Sequence, residues 1–115
     1  MTSTPEPGPA DPVLLFDEDG RMFIVYDPAL ADELLESVNE FFEGYDGRGR
    51  PLRAYGEPGR VGLALAGAEA KDRDLRQRVQ RYYAVFAARH PTGIPPQEAD
   101  IVRFVRAVAD DWIEE

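Results

Sequence analysis

The chain has no cysteine, a single histidine (His90), a single lysine (Lys71) and only two serines, Ser3 and Ser37. Each shortage removes a class of chemistry. Without cysteine there are no disulfides, no thiolate metal sites and no thiol nucleophile. This composition fits a reducing cytoplasm, the compartment expected here. One imidazole cannot build a site that needs two. Of the serines, Ser3 sits among prolines and Ser37 inside an amphipathic pattern, so a serine triad has no credible nucleophile. No apolar run approaches the roughly 18–20 residues of a membrane span. Residues 1–12 lack the basic and apolar regions of a signal peptide, so none is expected. The scarcity of lysine beside twelve arginines, with abundant alanine and glycine, is the codon bias expected of a GC-rich bacterial genome.

What is present suffices for a core. The length of 115 residues matches one domain, and 43% of the residues are hydrophobic. Net charge is −9, which disfavours non-specific binding to nucleic acids or anionic membranes. The charge is segregated. Residues 1–47 hold twelve acids and one base, Arg21; residues 48–89 hold ten bases and four acids; residues 90–115 hold six acids and two bases.

Residues 1–12, with prolines at 5, 7, 9 and 12 and little that is apolar, are expected to form a disordered tail. The rest, 13–115, is expected to be one α+β domain. Two short apolar runs, Val13–Phe16 and Met22–Tyr26, flank Asp17-Glu18-Asp19-Gly20, a strong hairpin signal. Asp27-Pro28 then reads as a helix start. At about 100° per residue, Leu30, Leu34, Leu35, Val38, Phe41 and Phe42 fall on one side of that helix. Asp32, Glu33, Glu36, Glu40 and Glu43 fall on the other, and Gly44 ends it.

Glycine and proline are dense from Tyr45 to Arg60, around an expected strand at Leu52–Tyr55. Glu57-Pro58-Gly59 marks a second hairpin turn. Val61, Leu63 and Leu65 alternate with Gly62, Ala64 and Ala66, giving a strand with one bulky and one small face, the latter suited to a closely packed helix. Residues 71–90 read as a helix with Leu75, Val79, Tyr82, Tyr83 and Phe86 as its apolar stripe. The run from His90 to Pro96 stops it. A last helix from about 96 to 114 has a wide apolar face that includes Val102, Phe104, Val105, Val108 and Trp112. The expected order is therefore ββαββαα: a four-stranded, mainly antiparallel sheet with three helices packed mostly on one face.

Tested for chemistry, the acids at 17–19 do not form a calcium loop. They are consecutive, and the twelfth position, where that loop needs glutamate, is Pro28. No phosphate-loop pattern occurs in the glycine-rich stretch. His90, before Pro91 at a helix end, is placed to meet the helix dipole or solvent. No catalytic residue, metal or cofactor is expected.

The acidic set Asp32, Glu33, Glu36, Glu40 and Glu43 is the sharpest feature. It is either a solvated helix face or a docking surface for a basic partner, whose approach it would steer. At the level of class, the chain resembles the small acidic immunity and inhibitor proteins that neutralise bacterial toxins; the likeness is one of size, charge and missing site, and no motif carries it. A non-catalytic protein-binding role is expected first. The alternatives are a ligand-binding or enzymatic domain with a pocket between sheet and helices, and nucleic-acid binding through residues 48–89, with Arg73, Arg76 and Arg81 as its basic patch. A homodimer through the last helix is compatible with all three.

Overall fold

In a computed structural model, residues 8–86 and 94–111 are described. His90, Trp112 and the helix ends expected near them lie outside those residues. Five strands and two α-helices follow one another: β1 (Val13–Phe16), β2 (Met22–Val25), β3 (Glu43–Tyr45), β4 (Leu52–Tyr55), β5 (Gly62–Leu65), α1 (Asp72–Phe86) and α2 (Ile101–Asp111). Two short 3-10 helices, Pro28–Glu33 and Val38–Glu40, separate β2 from β3. The fold is α+β, as the sequence indicates, but its strands form two antiparallel sheets, β2-β1-β3 and β4-β5. The expected single four-stranded sheet is thus corrected.

β1 explains the arrangement. All four of its side chains are buried, so it is covered on both faces. Leu14 and Phe16, with Met22 and Ile24 of β2 and Tyr45 of β3, pack against α1 and α2. Val13, Leu15 and Val25 point the other way, into a second cluster with Ala31, Leu35, Leu52, Val61 and Leu63. The molecule therefore has three layers: two helices, the three-stranded sheet, and the β4-β5 hairpin with the first 3-10 helix. Only the two α-helices lie on one face, not three helices as expected. The stripe foreseen for α1 holds: Leu75, Val79, Tyr82 and Tyr83 are buried and Phe86 packs against them.

The expected helix from Asp27 to Gly44 is not formed. Asp27 does cap a helical start, its side chain accepting from the Ala29 N–H at 3.0 Å, with Pro28 in the first turn. The segment is a 3-10 helix that already departs from helical geometry at Leu30. Ser37 then opens the second 3-10 helix by accepting from the Asn39 N–H, while the Glu40 carboxylate accepts from the Glu36 N–H. Ser37-Val38-Asn39-Glu40 is the S-x-x-E pattern that starts helices, and here it restarts the chain in mid-pattern. Glu43–Tyr45 is pulled into strand because β1, buried on both faces, needs hydrogen-bond partners along its second edge. Leu14 pairs with Tyr45, Leu15 with Gly44 and Phe16 with Glu43.

Gly44, read as a helix terminator, serves this pairing instead. A Cβ there would lie 2.7 Å from Leu15 Cδ2 and 3.1 Å from a Phe41 ring carbon. The small face of β5 is likewise not met by a helix. The Tyr55 ring, on the paired residue of β4, lies over Gly62, and Arg53 stacks on that ring at 6.0 Å from its centroid. Part of the expected N-terminal tail is also held: the Ala10 N–H donates to Asp46, the Ala10 carbonyl accepts from the Gly47 N–H, and Pro12 is buried.

Candidate functional site

Two loops of the same shape frame the three-stranded sheet. In Asp17–Arg21 the Gly20 N–H donates to the Asp17 carbonyl and the Asp17 N–H to the Arg21 carbonyl. Asp46–Arg50 repeats both bonds, Gly49 to Asp46 and Asp46 to Arg50. Gly20 and Gly49 both have positive φ, 88° and 78°. Each is a type I turn closed by a glycine bulge. In each, one aspartate oxygen accepts from the N–H groups two and four residues on. The acids at the first hairpin tip thus include one with a definite job: Asp17 shapes its turn. Among the described residues no group of three or more histidine, cysteine or acidic side chains is placed to hold a metal ion.

Beside the first loop lies an apolar hollow of about 220 Å³. Its floor and walls come from Leu15 and Phe16 of β1, Phe23 of β2, and Leu34, Leu35, Phe41 and Phe42 from the irregular segment. Asp17, Glu40 and Glu43 also line it. Leu34 and Phe42 are 39% and 47% exposed, and Leu30 and Val38 of the same segment are also exposed. Because the segment is not a helix wound over the core, part of its apolar pattern remains at the surface.

Glu43 stands between this hollow and a polar depression of about 420 Å³ that it also lines, with Tyr45, Asp74, Gln77, Arg78 and Arg81. Arg78 of α1 grips Glu43 with two parallel hydrogen bonds, 2.8 and 2.9 Å, and the Tyr45 hydroxyl donates a third at 2.8 Å. The Arg78 guanidinium also lies 5.5 Å from the centre of the Phe42 ring. Burial works to raise the Glu43 carboxyl, but Arg78 and the Tyr45 hydroxyl outweigh it and hold the group below its usual range. Burial and the neighbouring Glu43 carboxylate push the Tyr45 phenol up; the same carboxylate raises Arg78.

The five acids expected on one helix face are therefore separated. Asp32 and Glu33 are exposed on the first 3-10 helix. The exposed Glu36 lends its carbonyl to the Gly59 N–H of the β4-β5 turn. Only Glu40 and Glu43 reach the hollow, and Glu43 is held by Arg78. The basic set is divided too. Arg73 and Arg81 are exposed. Arg76 bonds to Asp72 and to the carbonyls of Glu98 and Ala99, and lies 4.4 Å from the centre of the Phe104 ring. Tyr82 and Tyr83 are core residues.

Sequence reasoning missed Asp46, the buried polar residue at the second loop. Its carboxylate receives five hydrogen bonds: from the backbone of Ala10, Arg48 and Arg50, and twice from the Arg50 guanidinium. Burial would raise its pKa, yet Arg50 and the backbone donors keep it low. The signal was in the chain: Asp-x-x-Gly-Arg occurs at 17–21 and again at 46–50.

Among the described residues no helix is long and apolar enough to cross a membrane. No protein-family model, curated protein sequence or solved structure matches this chain.

Proposed function

We propose that the protein is a non-catalytic binding module whose hollow beside the Asp17–Arg21 loop receives a basic protein partner. The observation that carries this reading is the exposed apolar surface of Leu34 and Phe42 at a hollow lined by three acids, on a chain of net charge −9. Apolar contact supplies affinity and the acids supply orientation and encounter rate. The direction of the pKa shifts supports the same reading. Glu43, Asp46 and Arg78 are held more firmly in their charged forms, and Tyr45 and Tyr83 in their neutral forms, the states each has at pH 7. A general acid or base requires the opposite.

The test is selection of a random peptide library on the immobilised protein, followed by titration of the enriched peptides. We expect enriched peptides to be basic and their binding to be lost in the Leu34→Ser/Phe42→Ser double variant. Equal binding to the wild type and to a double variant of unchanged thermal midpoint would overturn the proposal.

A further inference from the structure

We infer that the hollow is an anchor pocket for one large apolar side chain of the partner, and that Asp17 and Glu40 select a lysine or arginine next to that anchor. The inference rests on the protein-binding reading above and specifies its ligand.

Size comes first. At about 220 Å³ the hollow is smaller than the roughly 300–1,000 Å³ usual for small-molecule and cofactor sites. It suits a single side chain. Its floor is fixed, because Leu15 and Phe16 belong to the strand buried on both faces and are 3% and 2% exposed. Phe41 is held against Leu15 across Gly44, and Phe42 lies under Arg78. A preorganised apolar pocket with a polar rim is the arrangement in which one anchor residue dominates binding energy.

The rim then decides what flanks the anchor. The three acids are not equivalent. Both Glu43 oxygens are taken, by Arg78 and by Tyr45, so its charge is already matched. Asp17 uses Oδ1 for its own turn, and Glu40 uses Oε2 for the Glu36 N–H. The second oxygen of each receives no hydrogen bond from the described residues. Two solvent-accessible carboxylates, each with one oxygen that no described residue bonds, border an apolar pocket. A cationic side chain beside the anchor would meet this acidic rim and keep its own charge paired when the partner docks. A second copy of this chain is a poor occupant, since it would bring a further nine negative charges to an acidic rim.

The test uses peptides enriched on the wild-type protein and two conservative variants. Asp17→Asn keeps the oxygen that shapes the turn, and Glu40→Gln keeps the acceptor for Glu36, so both remove charge while preserving local bonding. The enriched peptides are expected to share a large apolar residue with lysine or arginine within two positions. Replacing that apolar residue by alanine should abolish binding. The Asp17→Asn/Glu40→Gln variant should bind about tenfold more weakly, with the loss shrinking at high salt. If the peptides lack the neighbouring cation, or if they bind that variant undiminished, selection by the rim is overturned while docking in the hollow stands. If no enriched peptide depends on Leu34 and Phe42, the docking reading itself fails. A dimer by light scattering that dissociates in the Leu34→Ser/Phe42→Ser variant would overturn both in favour of a second copy.

Discussion

Asp46 gathers five hydrogen bonds on one carboxylate. It is fully buried, and it ties the segment before β1, the β3-β4 loop and Arg50 to one carboxylate. Asp46→Asn keeps an oxygen for the loop but turns an amide toward the Arg50 guanidinium and the Ala10 N–H, setting donors against donors. Breaking a buried ion pair from one side costs about 3 kcal/mol or more. Urea denaturation should show that loss at pH 7. The pH dependence follows from the sign of the shift. Asp46 and Glu43 both have folded-state pKa values below their unfolded ones. Their stabilisation is complete above the ordinary carboxylate range, about pH 4, and is lost as pH falls through the folded values. Wild-type stability should fall as pH drops below about 4, and the Asn variant should show a shallower fall. An equally steep fall would mean that other carboxylates carry the acid limb.

The elements legible in the sequence were those whose local signals agreed with their tertiary role. Asp-Gly between two apolar runs gave the first hairpin, and Pro-Gly with alternating Val61, Leu63 and Leu65 gave the second. Leu75, Val79, Tyr82 and Tyr83 gave α1. The segment 27–44 failed because its helical period is real but incomplete as evidence. The Ser37–Glu40 cap divides it, and β1 requires β3 as a neighbour, a demand that no window of local sequence contains. The site was half legible for the same reason: its acids could be named, but their grouping depended on the broken segment. Gly44 offers a direct check of this element. A Cβ must displace Leu15 or Phe41, so Gly44→Ala should cost about 1–3 kcal/mol, the usual range for overpacking. Gly59→Ala is the control: φ is +83° there, but nothing lies within 4 Å of the added Cβ, which leaves only the backbone term of about 1 kcal/mol. Both are read from denaturation midpoints. A Gly44→Ala protein as stable as wild type would contradict the close approach of the Leu15 and Phe41 side chains to Gly44.

Across the whole molecule, what matters is how much of the segregated charge remains available to a partner. Part of the basic middle of the chain is used within the fold. Arg50, Arg76 and Arg78 are paired with Asp46, Asp72 and Glu43, and Arg53 lies against Tyr55. Arg48, Arg53, Arg60, Lys71, Arg73 and Arg81 stay exposed, and Arg81 shares its depression with Glu43 and Asp74. Two of the three ion pairs among the described residues join bases of 48–89 to acids of 1–47, so folding cancels part of the asymmetry seen along the sequence. In the acidic half, Asp32, Glu33, Glu36 and Glu40 also remain exposed. At a net charge of −9 the molecule should still repel a polyanion at long range. We expect no retention on heparin even at low ionic strength, where electrostatic binding is strongest. Retention at low salt, lost in an Arg73→Ala/Arg81→Ala variant, would show that the exposed arginines of α1 bind a polyanion and would favour nucleic-acid binding.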